Sequence, residues 1–189
     1  MIKASELKLV PESDPLLHKQ LTPFDFETQD AEMIGNILFK KMQDLGGIGL
    51  SACQVGLDMR VFVIGLDEYK MYVFNPEIVN YGTETEHMTE GCLSFPGLSL
   101  GINRPTTIDV RYQNEKGEVV NITLGGITAR AFQHEYDHMN GRLFTGYVTP
   151  FKLQYYMKKR DNKRAKLVKK YTQKVLRDLS NDINQQRNS

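Results

Sequence analysis

Phe26, Met33, Ile34, Ile37, Leu38, Met42 and Leu45 recur at the spacing of a helix with one apolar face, and Gly46-Gly47 stops the pattern. The spacing predicts a helix over about residues 27–45. Upstream, Pro11, Pro15 and Pro23 punctuate an irregular opening. Arg60–Gly65 and Lys70–Asn75 are dense in Val, Ile, Phe and Tyr and read as extended segments. Thr107–Tyr112 alternates toward Val119–Leu124 across Asn114-Glu115-Lys116-Gly117, which predicts a hairpin. From Ile127 to Asn140 the pattern is helical again, with Gly125-Gly126 before it and Gly141 where a C-terminal glycine cap belongs. A last helical tract starts near Pro150. In it Val168, Tyr171, Val175, Leu179 and Ile183 form one apolar stripe on a Lys-rich surface.

Strands follow strands here rather than alternating with helices, so a parallel sheet is not expected. The fold class is α+β: antiparallel strands packed around the His134-bearing helix, with an N-terminal and a C-terminal helix. The chain has 189 residues, 40% apolar and 25% charged, the profile of one domain with an ordinary core. Residues 1–150 are expected to hold the chemistry, and residues 151–189 to form a basic amphipathic helix of the same domain. The start Met1-Ile2-Lys3-Ala4-Ser5-Glu6 has no secretory pattern, and no stretch is apolar for long enough to span a bilayer. These features place the protein in the cytoplasm, without a membrane partner. Two cysteines, Cys53 and Cys92, are too few for a disulfide scaffold and are expected to be reduced.

The net charge of +1 conceals an asymmetry. Residues 151–189 hold 12 Lys and Arg against 3 Asp and Glu, while residues 1–150 hold 12 against 20. Such a tail is either a solvated helix face or an arm that meets a polyanion.

His134-Glu135-Tyr136-Asp137-His138 is an H-E-x-x-H sequence on a predicted helix, so two imidazoles share one face and can grip one metal ion, with Glu135 beside it. A catalytic metal usually takes three protein ligands and keeps one position for water. Cys92, Cys53, His87 and distant carboxylates are the candidates for the third. Cys92 lies in Glu90-Gly91-Cys92-Leu93-Ser94-Phe95-Pro96, an irregular segment able to present a side chain and backbone amides to a cleft. Cys53 lies in a glycine-rich loop and is better read as a small buried hydrophobe. His18 and His87 have no partner at ligand spacing and read as surface or structural. The glycine-rich stretch lacks the Gly-Lys-Ser/Thr ending of a phosphate loop and any dinucleotide fingerprint, so nucleotide binding is rejected.

Three segments, Gly47-Ile48-Gly49-Leu50-Ser51-Ala52-Cys53-Gln54-Val55-Gly56, Glu90-Gly91-Cys92-Leu93-Ser94 and Gln133-His134-Glu135-Tyr136-Asp137-His138, together resemble the three signature motifs of peptide deformylases, in order and at similar separations. The likeness runs from Asp14-Pro15-Leu16 to about Phe144. It implies an enzyme that removes the formyl group from the N-terminal formyl-methionine of nascent polypeptides and releases formate. It also implies Cys92, His134 and His138 as metal ligands, with Cys92 as a thiolate. The metal of that family is typically Fe2+, with Zn2+, Ni2+ or Co2+ able to occupy the site, whereas a Cys-His-His set alone would suggest zinc.

By the same resemblance Glu135 takes a proton from the attacking water, and Gln54 and the backbone N–H of Leu93 join the metal in stabilising the oxyanion. An extended substrate would pair with Ile48, Gly49 and Gly91 as an added strand. Ile48, Leu93, Phe132 and the stem of Arg130 are expected to wall the methionine pocket. Ser51 stands where alanine is usual in the family, and Ser99 where many bacterial members place arginine. Asp137 and Arg104 are expected to form an ion pair that braces the helix. The resemblance also suggests ribosome docking by the basic tail, and no DNA partner. The competing readings are an H-E-x-x-H peptidase, which requires a third ligand other than Cys92, and a homologue with a structural metal, which has no use for Gln54 and Glu135.

Overall fold

The structure, a computed structural model, describes residues 4–66 and 69–187, with side chains described except at 66, 69 and 178–187. Strand β2 (Val61–Leu66) is apolar along its length because both of its faces are covered. Val61 and Val63 enter one hydrophobic cluster with Leu38, Phe39 and Met42 of helix α1 (Ala31–Asp44). Phe62 and Ile64 enter another with Ala129, Phe132 and Met139 of helix α2 (Gly126–Met139). Adjacent residues of a strand point to opposite faces, so a continuous apolar run is what a strand between two helices requires.

β2 lies within a five-stranded antiparallel sheet. The order is β1 (Gly49–Ser51), β2, β3 (Tyr69–Tyr81), then β6 (Thr107–Gln113) and β7 (Val119–Gly125). A separate two-stranded hairpin pairs β4 (Thr85–Gly91) with β5 (Ser99–Pro105), and its register closes at Gly91 opposite Ser99. The expected α+β class with antiparallel strands around the histidine-bearing helix is therefore observed.

Local chemistry accounts for the differences from the expected boundaries. α1 starts at Ala31 rather than near 27 because Asp30 caps it, accepting from the Met33 N–H at 2.9 Å. Residues just before are turned by Asp25, whose carboxylate accepts from the Glu27 N–H and the Thr28 hydroxyl. β3 continues past Asn75 to Tyr81 through a register shift between Phe74 and Glu77. Asn75 has φ +49 there, and its side chain bonds both the N–H and the C=O of Phe24. β4 and β5 were not anticipated. In β4 only Glu90 is buried, so that strand carries no apolar alternation to detect.

The chain divides into two compact units, Met1–Tyr147 and Val148–Ser189. The second is built on helix α3 (Pro150–Arg187). Val168, Tyr171 and Val175 of its expected stripe are exposed, and Leu179 and Ile183 lie outside the residues whose side chains are described. Among the described residues no helix is long and apolar enough to cross a membrane.

Candidate metal centre

α2 packs with one side on the sheet and presents the other to a cleft. His134 and His138, one turn apart, have ring centroids separated by 5.3 Å. Cys92 leaves the end of β4 in a tight turn, closed by the Phe95 N–H on the Cys92 carbonyl at 2.9 Å. That turn carries Cys92 Sγ to 3.4 Å from His138 Nε2. Ligand atoms of Cys92, His134 and His138 all lie within 4.8 Å of one another.

Each imidazole is prepared differently. His134 Nδ1 donates to Glu90 Oε2 at 3.3 Å, which leaves Nε2 as the atom that could hold a metal. Burial works against a proton on His134, yet hydrogen bonds to Cys92 and Glu90 and the nearby Glu135 charge hold its pKa up at about 10. His138 is the reverse case: burial, then the charges of His134 and Arg104, push its pKa well below the usual imidazole range. Its Nδ1 is buried without a hydrogen-bond partner among the described residues. A sulfur and two imidazole nitrogens are a donor set that fits a divalent transition metal.

Behind the histidines lies a buried ionic network that sequence reasoning identified only in part. The expected pair is present, with Arg104 Nη1 donating to Asp137 Oδ2 at 2.8 Å. Its centre, however, is Glu90. Arg104 grips Glu90 in a two-pronged pair, Nε to Oε1 at 2.7 Å and Nη2 to Oε2 at 3.0 Å, and Arg130 Nη1 reaches Oε1 at 2.6 Å. Burial opposes the charge on Glu90, but hydrogen bonds from His134 and Arg104 outweigh it and hold the carboxyl at about 2. Two positions before a candidate metal-binding cysteine, a glutamate gives no sequence signal that distinguishes it from a surface residue. Tyr147 completes the network, donating to Asp137 Oδ1 at 3.1 Å with the Arg104 guanidinium 4.5 Å from its ring centre.

The cleft, about 450 Å3, is lined by Ile48, Gly49, Gln54, Gly91, Cys92, Leu93, His134 and Glu135, so each residue expected to act in catalysis, peptide pairing or metal binding borders it except the fully buried His138. Gln54 Nε2 donates to Cys92 Sγ at 3.3 Å and to Ser94 Oγ at 3.1 Å. Glu135 is buried, which raises its pKa, and accepts a 2.6 Å hydrogen bond from the Ser51 hydroxyl. Ser99 also borders the cleft.

One expectation for the pocket wall fails. Phe132 is fully buried on the sheet side of α2, edge-on to Phe62 with ring centres 4.9 Å apart, and does not border the cleft. Helical rotation places Ile127 and Ala131, four residues apart, on the cleft side instead. Arg130 does line the cleft, with its guanidinium turned into the network and onto the Glu86 and Ile102 carbonyls. Cys53 is a buried free thiol whose pKa burial pushes far up, and His18 and His87 are exposed, as expected.

Comparison with known proteins is consistent with this geometry. Residues 6–154 match the model of the family described as polypeptide deformylase. A peptide deformylase of Thermotoga petrophila is 42% identical over 139 residues, 74% of this chain and 85% of the relative. The crystal structure of a peptide deformylase from Legionella pneumophila superposes with a TM-score of 0.77 at 31% identity, covering 86% of this chain and 97% of that one. A Met-Ala-Ser-bound peptide deformylase from Acinetobacter baumannii gives 0.71 at 26% identity, covering 75% and 98%. The chain belongs to the polypeptide deformylase family, metal-dependent hydrolases that remove the N-terminal formyl group from nascent polypeptides.

Proposed function

We propose that Cys92, His134 and His138 hold a single divalent metal, Fe2+ in the native enzyme, and that Glu135, Gln54 and Leu93 carry out deformylation of formyl-methionyl peptides beside it. The observation that carries this reading is the convergence of the three ligand atoms within 4.8 Å at the wall of the same cleft that Glu135 and Gln54 border. When bound, the metal supplies Lewis acidity that lowers the pKa of water and polarises the formyl carbonyl.

The remaining steps belong to the protein. Glu135 accepts the proton of the attacking water and returns it to the leaving amine, a role suited to a buried carboxylate whose pKa lies above the ordinary value. The Gln54 side-chain amide and the Leu93 N–H donate to the oxygen of the formyl group as negative charge develops on it. Ile48, Gly49 and Gly91 offer backbone groups to an extended peptide. The methionine side chain packs on Ile48, Leu93, Ile127 and Ala131, which border the cleft. A tripeptide of the kind bound by the Acinetobacter relative, Met-Ala-Ser, fits this mode of entry.

The basic helix α3 supports a second element of the reading. With 12 cationic against 3 anionic residues in 151–189, it is suited to ribosomal RNA, and a cytoplasmic protein would meet nascent chains there. Co-sedimentation with ribosomes at low and moderate salt tests this, with unchanged binding after charge reversal of Lys163, Arg164 and Lys166 ending the docking idea.

The test of the reaction is formate release from formyl-Met-Ala-Ser by protein loaded anaerobically with Fe2+. The wild type releases formate, and Glu135→Ala retains the metal but loses about 100-fold or more in kcat. Cys92→Ala loses the metal. Cleavage of an internal peptide bond without formate release would overturn the reading.

A further inference from the structure

Ser51 ends β1 and is fully buried. Its backbone N–H donates to Gln54 Oε1 at 2.8 Å, while its hydroxyl donates to Glu135 Oε2 at 2.6 Å and lies 3.4 Å from the Glu135 carbonyl oxygen. One residue thus touches both polar side chains to which the reaction is assigned.

The two contacts settle two orientations. A side-chain amide can turn over, exchanging its oxygen and nitrogen. With Oε1 of Gln54 taken by the Ser51 N–H, Nε2 faces Cys92 Sγ and Ser94 Oγ, so the donor end is directed at the candidate metal centre. Glu135 is held in the same manner. Among the described residues its carboxylate accepts one hydrogen bond, from Ser51 to Oε2. The other oxygen lies against Gly49, where an added Cβ would stand 2.5 Å from Oε1. Oε2 is anchored by a hydrogen bond, and Glu135 borders the cleft.

We propose that Ser51 is a positioning residue for both groups: its amide directs Gln54 Nε2 toward the reacting centre, and its hydroxyl holds Glu135 by Oε2 so that Oε1 exchanges the proton. Alanine at this position keeps the amide and loses the hydroxyl. The side-chain half of the device is therefore a feature of this chain, and it is the half a substitution can isolate. The inference rests on the reading of Glu135 as the proton carrier.

The experiment compares Ser51→Ala, Ser51→Thr and Glu135→Gln with the wild type by metal content, by kcat and KM for formate release from formyl-Met-Ala-Ser, and by a crystal structure of Ser51→Ala. Ser51→Ala is expected to keep its metal and a KM within about twofold of wild type while kcat falls about tenfold. Its Glu135 carboxylate should leave the wild-type position. Ser51→Thr, which restores a hydroxyl, should recover most of the lost kcat; if the added methyl prevents folding, the Ser51→Ala split and the carboxylate position decide. Wild-type kcat in Ser51→Ala, with Glu135→Gln inactive, overturns the role of Ser51 alone. Wild-type kcat in Glu135→Gln overturns the proton-carrier reading and the Ser51 role with it.

Discussion

Arg104 and Glu90 meet through two parallel contacts, Nε to Oε1 at 2.7 Å and Nη2 to Oε2 at 3.0 Å, with both side chains almost completely excluded from solvent. The pair ties hairpin strand β5 to β4, while His134 on α2 leans on the same carboxylate. One glutamate thereby joins the hairpin to a candidate metal ligand on α2. Replacing Glu90 by Gln keeps the shape but removes the carboxylate that Arg130 pairs with and leaves Arg104 with Asp137 alone, and breaking a buried pair in this way costs about 3–5 kcal/mol. Urea unfolding of Glu90→Gln should show a loss of that size.

The same group predicts an acid dependence. Its carboxyl is held at about 2 in the fold against 4.5 when free, so its contribution is fully present above pH 4.5 and is lost as pH falls through the folded value. The urea midpoint of the wild type should drop between pH 4.5 and about 2 more steeply than that of Glu90→Gln.

Cys92 and Cys53 should behave as two kinds of thiol. Cys53 is fully buried and its ionisation is strongly opposed by burial, whereas Cys92 borders the cleft. Titration with iodoacetamide should label Cys92 alone in native metal-free protein, both cysteines in denaturant, and neither in the native protein loaded with metal. Mass spectrometry of the labelled peptides reads the result.

Gly49 has no room for a side chain. A Cβ there would meet Glu135 Oε1 at 2.5 Å, so Gly49→Ala must displace the carboxylate or the strand. A displacement approaching 1 Å should lower kcat about 100-fold, with the metal retained. Steady-state kinetics and metal analysis check it.

Ile127 and Phe132 separate pocket from core. Ile127 borders the cleft, and its truncation to Ala should raise KM for formyl-Met-Ala-Ser about tenfold with little change in melting temperature. Phe132 fills the interior against Phe62 and Tyr112. Phe132→Ala should cost about 3–5 kcal/mol of stability while KM stays near wild type in the folded fraction.

Much of the candidate site is legible in the sequence. The spacing of His134 and His138 is a local property of a helix, and so is the adjacency of Glu135. The sheet strands around α2 showed because a half-buried or fully buried strand needs apolar residues at regular positions. The hairpin of β4 and β5 did not show, since β4 is largely polar with a charged residue, Glu90, as its one buried position, and β5 alternates only through Leu100 and Ile102. Phe132 was misplaced because one helical period marks two faces, sheet and cleft, and apolar residues occupy both.

By itself the sequence determined the helical metal motif, the α+β class and the family resemblance, all of which follow from short-range spacing and composition. Only the tertiary structure decided that Glu90 joins Arg104, Arg130 and His134, that Phe132 faces the sheet rather than the cleft, and that Ser51 reaches Glu135 across 84 positions of chain. Those choices depend on which segments the sheet brings side by side, and residue types alone do not record the distances between segments that fold together.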